Sequence, residues 1–276
     1  MKNDELEVLC YFNAMIEVRN LRKNFKSQTV LDGLDFRIEN GESVAIIGRS
    51  GGGKSVLLKH LIGLLQPDSG EVLIDGEDIV GMNERQLLRV RRKFGMLFQG
   101  SALFDSMTVA ENVAFGLRRH EHLTEAEIEK KVCFALEVVD LPGTQDKEPA
   151  ELSGGMRKRV GLARAIVYEP QIILYDEPTT GLDPIVSDSI DELMMAVRDR
   201  LNVTSVVVTH DMRSARRLGQ HIIMLHRGRI HANGLPDEIF NSSDPITRQF
   251  VDGVADSKES LVMQADFPTA FTRKVG

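Results

Sequence analysis

Gly48-Arg49-Ser50-Gly51-Gly52-Gly53-Lys54-Ser55 is a complete G-x-x-x-x-G-K-S loop. It follows the continuous apolar run Ser43-Val44-Ala45-Ile46-Ile47 and opens a segment, Ser55 to Leu65, whose apolar residues recur at helical period. An unbroken apolar run of that length is the pattern of a strand buried on both faces. Strand, glycine loop and helix in that order form the context in which such a loop holds phosphate. Glycines allow successive backbone N–H groups to converge on phosphate oxygens, and the helix N-terminus adds its dipole. Lys54 is expected to reach the β- and γ-phosphates as a point charge, and the Ser55 hydroxyl to ligate Mg²⁺. Val56, the next residue on the helix, completes the expected nucleotide contact set.

Outward from the loop, further apolar runs occur at Gly95 to Phe98, Ile172 to Tyr175, Ser205 to Val208 and Ile222 to Leu225. Helical stretches separate most of them, which predicts a largely parallel α/β core. Upstream, Ile16 to Phe25 and Val30 to Ile38 alternate apolar and polar residues, as half-exposed antiparallel strands do. From about Gln99 to Glu169 the pattern is helical throughout. Thr124-Glu125-Ala126-Glu127 is a capping box for a helix reaching about Val139, and Leu141-Pro142-Gly143 ends it. The expected fold is α/β, with a mostly parallel core sheet, an N-terminal antiparallel β subdomain and an inserted helical subdomain at about residues 100–169.

The formal net charge over 276 residues is −7, so the bulk composition gives no sign of nucleic-acid binding. The basic clusters Arg89-Arg91-Arg92-Lys93 and Arg213-Arg216-Arg217 read as solvated helix faces. Cys10 and Cys133 are far apart and lack metal-ligand spacing, which fits unpaired thiols in a reducing compartment. No apolar run approaches the ~20 residues needed to span a bilayer. Met1-Lys2-Asn3-Asp4-Glu5 does not read as a signal peptide, so the expectation is a cytosolic chain unless a partner holds it at a membrane.

The run Ile172 to Tyr175 ends in two acids, Asp176 and Glu177. Acids at the C-terminal end of a parallel strand sit where such sheets bind ligands. Asp176 is expected in the Mg²⁺ shell, and Glu177 to accept the proton of an attacking water. The alternative is a surface turn beside Pro178.

With Gln99, Leu152-Ser153-Gly154-Gly155-Met156, Gly181-Leu182-Asp183 and His210 added in chain order, the sequence resembles an ABC transporter ATPase over about residues 15–250. The resemblance implies that ATP and Mg²⁺ are the cofactors. It implies that Gln99 contacts Mg²⁺ and water and senses a membrane partner, and that His210 hydrogen-bonds the γ-phosphate and positions water. Asp183 falls in the loop that links two active sites. Phe25 falls where an aromatic ring stacks on adenine, a position often held by Tyr in the family. The other histidines (His60, His120, His122, His221, His226 and His231) are assigned no chemistry. On the same basis residues 15–252 form the ATPase domain, with residues 1–14 an N-terminal extension and 253–276 a C-terminal tail. Met1 and Met15 stand as alternative translation starts.

The signature at Leu152 to Met156 implies a dimer. Ser153, Gly154 and Gly155 present a hydroxyl and backbone N–H groups at a helix start, which is a second anion site. In the family two copies pair head to tail, each signature capping the ATP bound by the other, so a homodimer is the simplest assembly.

Met156 replaces the usual Gln of the signature, and Phe98 to Val109 is unusually apolar for the surface that receives a permease. Along with Arg49 to His60, these features resemble the ATPases of Mce-type lipid transporters, Mla phospholipid systems among them. That likeness implies an integral membrane permease, a periplasmic Mce-domain lipid-binding protein, and a position on the cytoplasmic face of the inner membrane. It also implies a C-terminal tail that contacts the partner protomer. The alternatives are an importer ATPase for a small solute such as an amino acid, and a non-transport ABC ATPase. The latter usually has coiled-coil insertions or two nucleotide domains in one chain. A regulatory module with dead catalysis would lack Lys54 or Glu177, and both are present.

Overall fold

A computed structural model describes residues 14–254. The N-terminal extension before Ala14 and the tail beyond Val254 lie outside the described residues.

The described residues open with β1 (Ala14–Phe25) and β2 (Gln28–Glu39), an antiparallel pair. Their alternation buries Ile16, Val18 and Leu21 from one strand and Leu31, Leu34 and Ile38 from the other. Strand β3 (Ser43–Gly48) is buried at every position and runs into the glycine loop and α1 (Lys54–Leu61). Helix α1 stops short of Leu65 because Gly63 turns the chain at φ +63°. Then come β4 (Ser69–Ile74), β5 (Glu77–Asp78), α2 (Glu84–Arg91) and β6 (Phe94–Leu97).

Helices α3 (Val109–His120), α4 (Glu125–Val138) and α5 (Gly154–Ile166) fill the stretch before β7 (Ile172–Asp176), with a short 3₁₀ turn at Pro149–Glu151. The Thr124 capping box forms as read: Thr124 N donates to Glu127 Oε2 at 2.8 Å and Glu127 N to Thr124 Oγ1 at 3.3 Å. The chain continues through α6 (Pro184–Leu201), β8 (Thr204–Val208), α7 (Met212–Leu218), β9 (His221–His226) and β10 (Arg229–Gly234). The described residues end in α8 (Pro236–Phe240) and α9 (Pro245–Val251).

Two sheets result. The four-stranded antiparallel sheet has the order β2-β1-β4-β5, and the six-stranded sheet the order β10-β9-β3-β8-β7-β6. Within the larger sheet β6 to β9 are mutually parallel through β3, and only the edge strand β10 is antiparallel. One apolar core packs α3 to α6 against a face of this sheet, and a second fills the space between the opposite face, α1 and the antiparallel sheet. Strands β3, β8 and β7 are neighbours, so the loops after Gly48, Val208 and Asp176 leave the same edge of the sheet. Ligands bind at that edge in open α/β sheets.

Candidate active site

The glycine loop is shaped by close backbone approach. A Cβ on Gly48, at φ +150°, would stand 2.4 Å from the Leu225 carbonyl oxygen. One on Gly53, at φ +94°, would stand 2.7 Å from Leu31 Cδ2 and 2.9 Å from the Val30 carbonyl oxygen. Only glycine satisfies both the torsion and the space. Lys54 follows, buried, with its Nζ donating to the carbonyls of Gly48 at 2.7 Å and Arg49 at 3.2 Å. Burial pulls its ammonium below the usual lysine range, opposed by the charges of Glu177 and Asp176.

Asp176 and Glu177 leave the end of β7 toward the loop. Ser55 Oγ donates to Asp176 Oδ1 at 3.0 Å, joining the first residues of α1 to the sheet edge. Burial raises the Asp176 pKa, with Ser55 opposing and Glu177 reinforcing the rise. Glu177 has a left-handed backbone at φ +50°, a conformation that costs a side-chain-bearing residue roughly 1–3 kcal/mol. Its N–H donates to the Val208 carbonyl at 2.9 Å, which ties the turn to β8. Its carboxylate is held on both sides: Oε2 lies 2.6 Å from His210 Nδ1 and accepts from Thr180 Oγ1 at 3.2 Å, and Oε1 lies 3.9 Å from Lys54 Nζ.

The Ser55 hydroxyl and the Asp176 carboxylate are hard oxygen donors in contact, beside a second carboxylate. That donor set fits Mg²⁺, which takes one or two protein oxygens and completes its shell with phosphate and water.

Lys54, Ser55, Glu177 and His210 share one cleft of about 460 Å³. It is lined by Phe25, Gln28 and Val30 of the first two strands, Ser50, Gly51, Gly53, Lys54, Ser55 and Val56 of the glycine loop and α1, and Gln99, Glu177 and His210. Phe25 is 44% exposed, and Lys23 Nζ stands 5.6 Å from its ring centroid. Phe25, Gln99 and His210 come from three separate elements and lie far apart in sequence.

The signature residues do not line this cleft. Ser153 caps α5, accepting from Met156 N at 3.3 Å, and is exposed; Leu152 is buried beneath it and Met156 packs partly into the core. Gly154 and Gly155 lie flush against the α6 region: Cβ atoms there would meet Leu182 Cδ2 at 3.2 Å and Val186 Cγ1 at 2.7 Å. Asp183 caps α6, accepting from the N–H groups of Ile185 and Val186 at 3.0 Å each. One chain therefore carries a phosphate loop and an exposed signature as separate surfaces.

One buried residue in contact with this site was not singled out from the sequence. Lys158 sits within the basic segment Arg157-Lys158-Arg159, between two arginines, yet it is 5% exposed. Its Nζ donates to the carbonyl of Gln99 and, at 3.4 Å, to that of Glu177. A helical-period reading of α5 from Lys158 through Gly161 to Ala165 would have put it on the inward face.

The family model described as ABC transporter matches residues 31–180. The chain is 44% identical over 238 residues to a probable ribonucleotide transport ATP-binding protein of Mycobacterium leprae, covering 86% of this chain and 69% of that one. It is 40% identical over 242 residues to the intermembrane phospholipid transport system ATP-binding protein MlaF of Haemophilus influenzae, covering 88% and 92%. The dimeric post-hydrolysis structure of the ATP-binding cassette MJ0796 bound to ADP and Pi superposes with a TM-score of 0.74 at 33% identity, covering 80% of this chain and 99% of that one.

Proposed function

The chain belongs to the ABC transporter ATP-binding family and hydrolyses ATP; from that premise we propose that it drives a phospholipid transporter of Mla/Mce type. The observation that carries the lipid reading is the match to MlaF of H. influenzae, which extends over 92% of that protein. Met156 in the signature and the exposed Phe98 and Phe104 after β6 support it.

In this reading the backbone of Gly48 to Lys54 holds the nucleotide phosphates and Phe25 stacks on the base. Ser55 and Asp176 would hold Mg²⁺, which supplies charge neutralisation at the phosphates. Glu177 takes the proton of the attacking water, and His210 orients that carboxylate and the γ-phosphate. Gln99 reports the state of the permease to the cleft. Residues 15–252 act as the ATPase domain, with the helices of about 100–169 facing the permease. Leu152 to Met156 cap the nucleotide of a second copy, head to tail, and Asp183 links the two sites.

No helix among the described residues is long and apolar enough to cross a membrane. Attachment then comes through a permease, on the cytoplasmic face of the inner membrane, with a periplasmic Mce-domain lipid-binding protein in the same complex. A second reading, import of a small solute, draws on the 41% identity over 254 residues to the sulfate/thiosulfate import ATP-binding protein CysA of Bradyrhizobium diazoefficiens. Purification of tagged protein from gently solubilised membranes, followed by mass spectrometry of chains and lipids, separates the two. Bound phospholipid with a permease and an Mce-domain protein supports the lipid reading. A solute-binding protein with a different permease overturns it and leaves the ATPase intact.

A further inference from the structure

Lys54 and Lys158 are the buried lysines among the described residues, and they approach the acid pair Asp176–Glu177 from different elements. Lys54 belongs to the phosphate loop. Lys158 belongs to α5, five positions beyond Ser153 on the helix that begins at the signature. It has both of its acceptors on the main chain: the carbonyl of Gln99, after β6, and that of Glu177, after β7. Thr180 N also donates to the Glu177 carbonyl at 3.3 Å, so the turn is gripped from two directions.

The same helix face holds the rest of the Gln99 loop. Gly161 allows close packing, since a Cβ there would meet Leu97 Cδ1 at 2.9 Å and Ser101 Cβ at 3.3 Å. Arg164 donates to the carbonyls of Ala102 at 2.7 Å and Ser101 at 2.6 Å. Those two residues have left-handed backbones, at φ +61° for Ser101 and +49° for Ala102. A buried ammonium is an expensive way to hold two carbonyls unless their placement matters. A neutral packing residue would fill the same space without that penalty.

We infer that Lys158 is a positioning residue for hydrolysis, fixing the main chain of Glu177 and Gln99 to the helix that carries the signature. Movement of α5 on engagement of the signature then moves the water-activating carboxylate with it. The inference rests on the reading of Glu177 as the base.

The test is ATP turnover by the full-length chain, with KM, affinity for a fluorescent ATP analogue and thermal unfolding measured alongside. Lys158→Met keeps the apolar stem and removes both donations. It is expected to lower kcat about 10–100-fold, the scale of a small misalignment at the reacting centre. ATP affinity should stay within about threefold, because the phosphate loop is untouched. Lys158→Gln, which retains a donor, should recover most of the lost turnover. A Met variant with wild-type kcat overturns the inference, as does a parallel loss of kcat and affinity that Gln does not relieve. If the Met variant does not fold, Lys158→Leu, which also lacks a donor, is read in its place: reduced kcat at unchanged affinity supports the role, and wild-type kcat ends it. Glu177→Gln is the control for the underlying reading. If that variant turns over normally, the base assignment fails first; if it is inactive while Lys158→Met is normal, only the positioning role fails.

Discussion

His210 Nδ1 lies 2.6 Å from Glu177 Oε2, across the neighbouring ends of β8 and β7, while Lys54 Nζ stands 3.9 Å from the other carboxylate oxygen. The carboxylate is thus aimed by two groups that belong to different elements, and removing its charge leaves both of them in place. Glu177→Gln is expected to keep ATP binding and to trap the nucleotide-bound dimer. Turnover should fall about 10²–10⁴-fold, or roughly 3–5 kcal/mol of barrier. Phosphate release and nucleotide binding, measured on one preparation, check it; near-normal turnover refutes the base assignment.

His210→Ala removes the shortest contact to that carboxylate and leaves the Thr180 hydroxyl at 3.2 Å. A loss of about 10²-fold in kcat with little change in ATP affinity is expected for an orienting group. A rise in KM with unchanged kcat would assign His210 to binding alone.

Lys54→Ala should act on binding itself. The ammonium is buried against the Gly48 and Arg49 carbonyls, where it can turn to phosphate oxygens. Affinity for ATP should weaken at least ~10-fold, the scale of one lost charge-assisted contact. Equilibrium titration with a fluorescent analogue reads it, and unchanged affinity contradicts the role given to the loop.

Asp191 gives a stability prediction with a defined sign. It is 3% exposed, accepts from Ser214 Oγ at 2.7 Å, and among the described residues has no partner for Oδ1. Burial raises its pKa from 3.8 to about 6, with Ser214 opposing and Asp211 adding to the rise. The folded state therefore binds the proton more tightly than the unfolded state, and stability falls as pH rises from about 4 through 6. Asp191→Asn should be close to neutral at acid pH and stabilise by on the order of 2–3 kcal/mol at pH 7.5. Denaturant unfolding at both pH values measures the difference. An equal effect at both would mean that folding leaves the carboxylate's pKa unshifted.

Much of this architecture was legible because burial on both faces leaves an unbroken apolar run. Ser43 to Ile47, Ile172 to Tyr175 and Ser205 to Val208 are β3, β7 and β8 within a residue or two. Strand β4 left no such trace: only Val72 and Ile74 of its six residues are buried, and Gly70 interrupts it at φ +97°. Edge strand β10 is equally amphipathic, with Gly234 alone fully buried. At the site, the glycine-loop motif pointed to Lys54, the acidic end of an apolar run to Asp176 and Glu177, and the family resemblance to His210. Lys158 escaped because two arginines flank it, and a charge triplet reads as solvated surface until tertiary packing shows which member turns inward.

The central claim is that one chain's cleft is completed by the signature of another. Gly154→Asp puts a carboxylate where the γ-phosphate of the partner's ATP would lie, and Glu177→Gln removes the base; each homodimer should be nearly inactive. A purified heterodimer of the two variants has one site with both defects and one site with neither. Head-to-tail assembly predicts turnover at least ~10-fold above either homodimer, since the intact site keeps its full barrier reduction. Turnover as low as that of the homodimers would mean that signature and base serve the same chain, and would contradict the account.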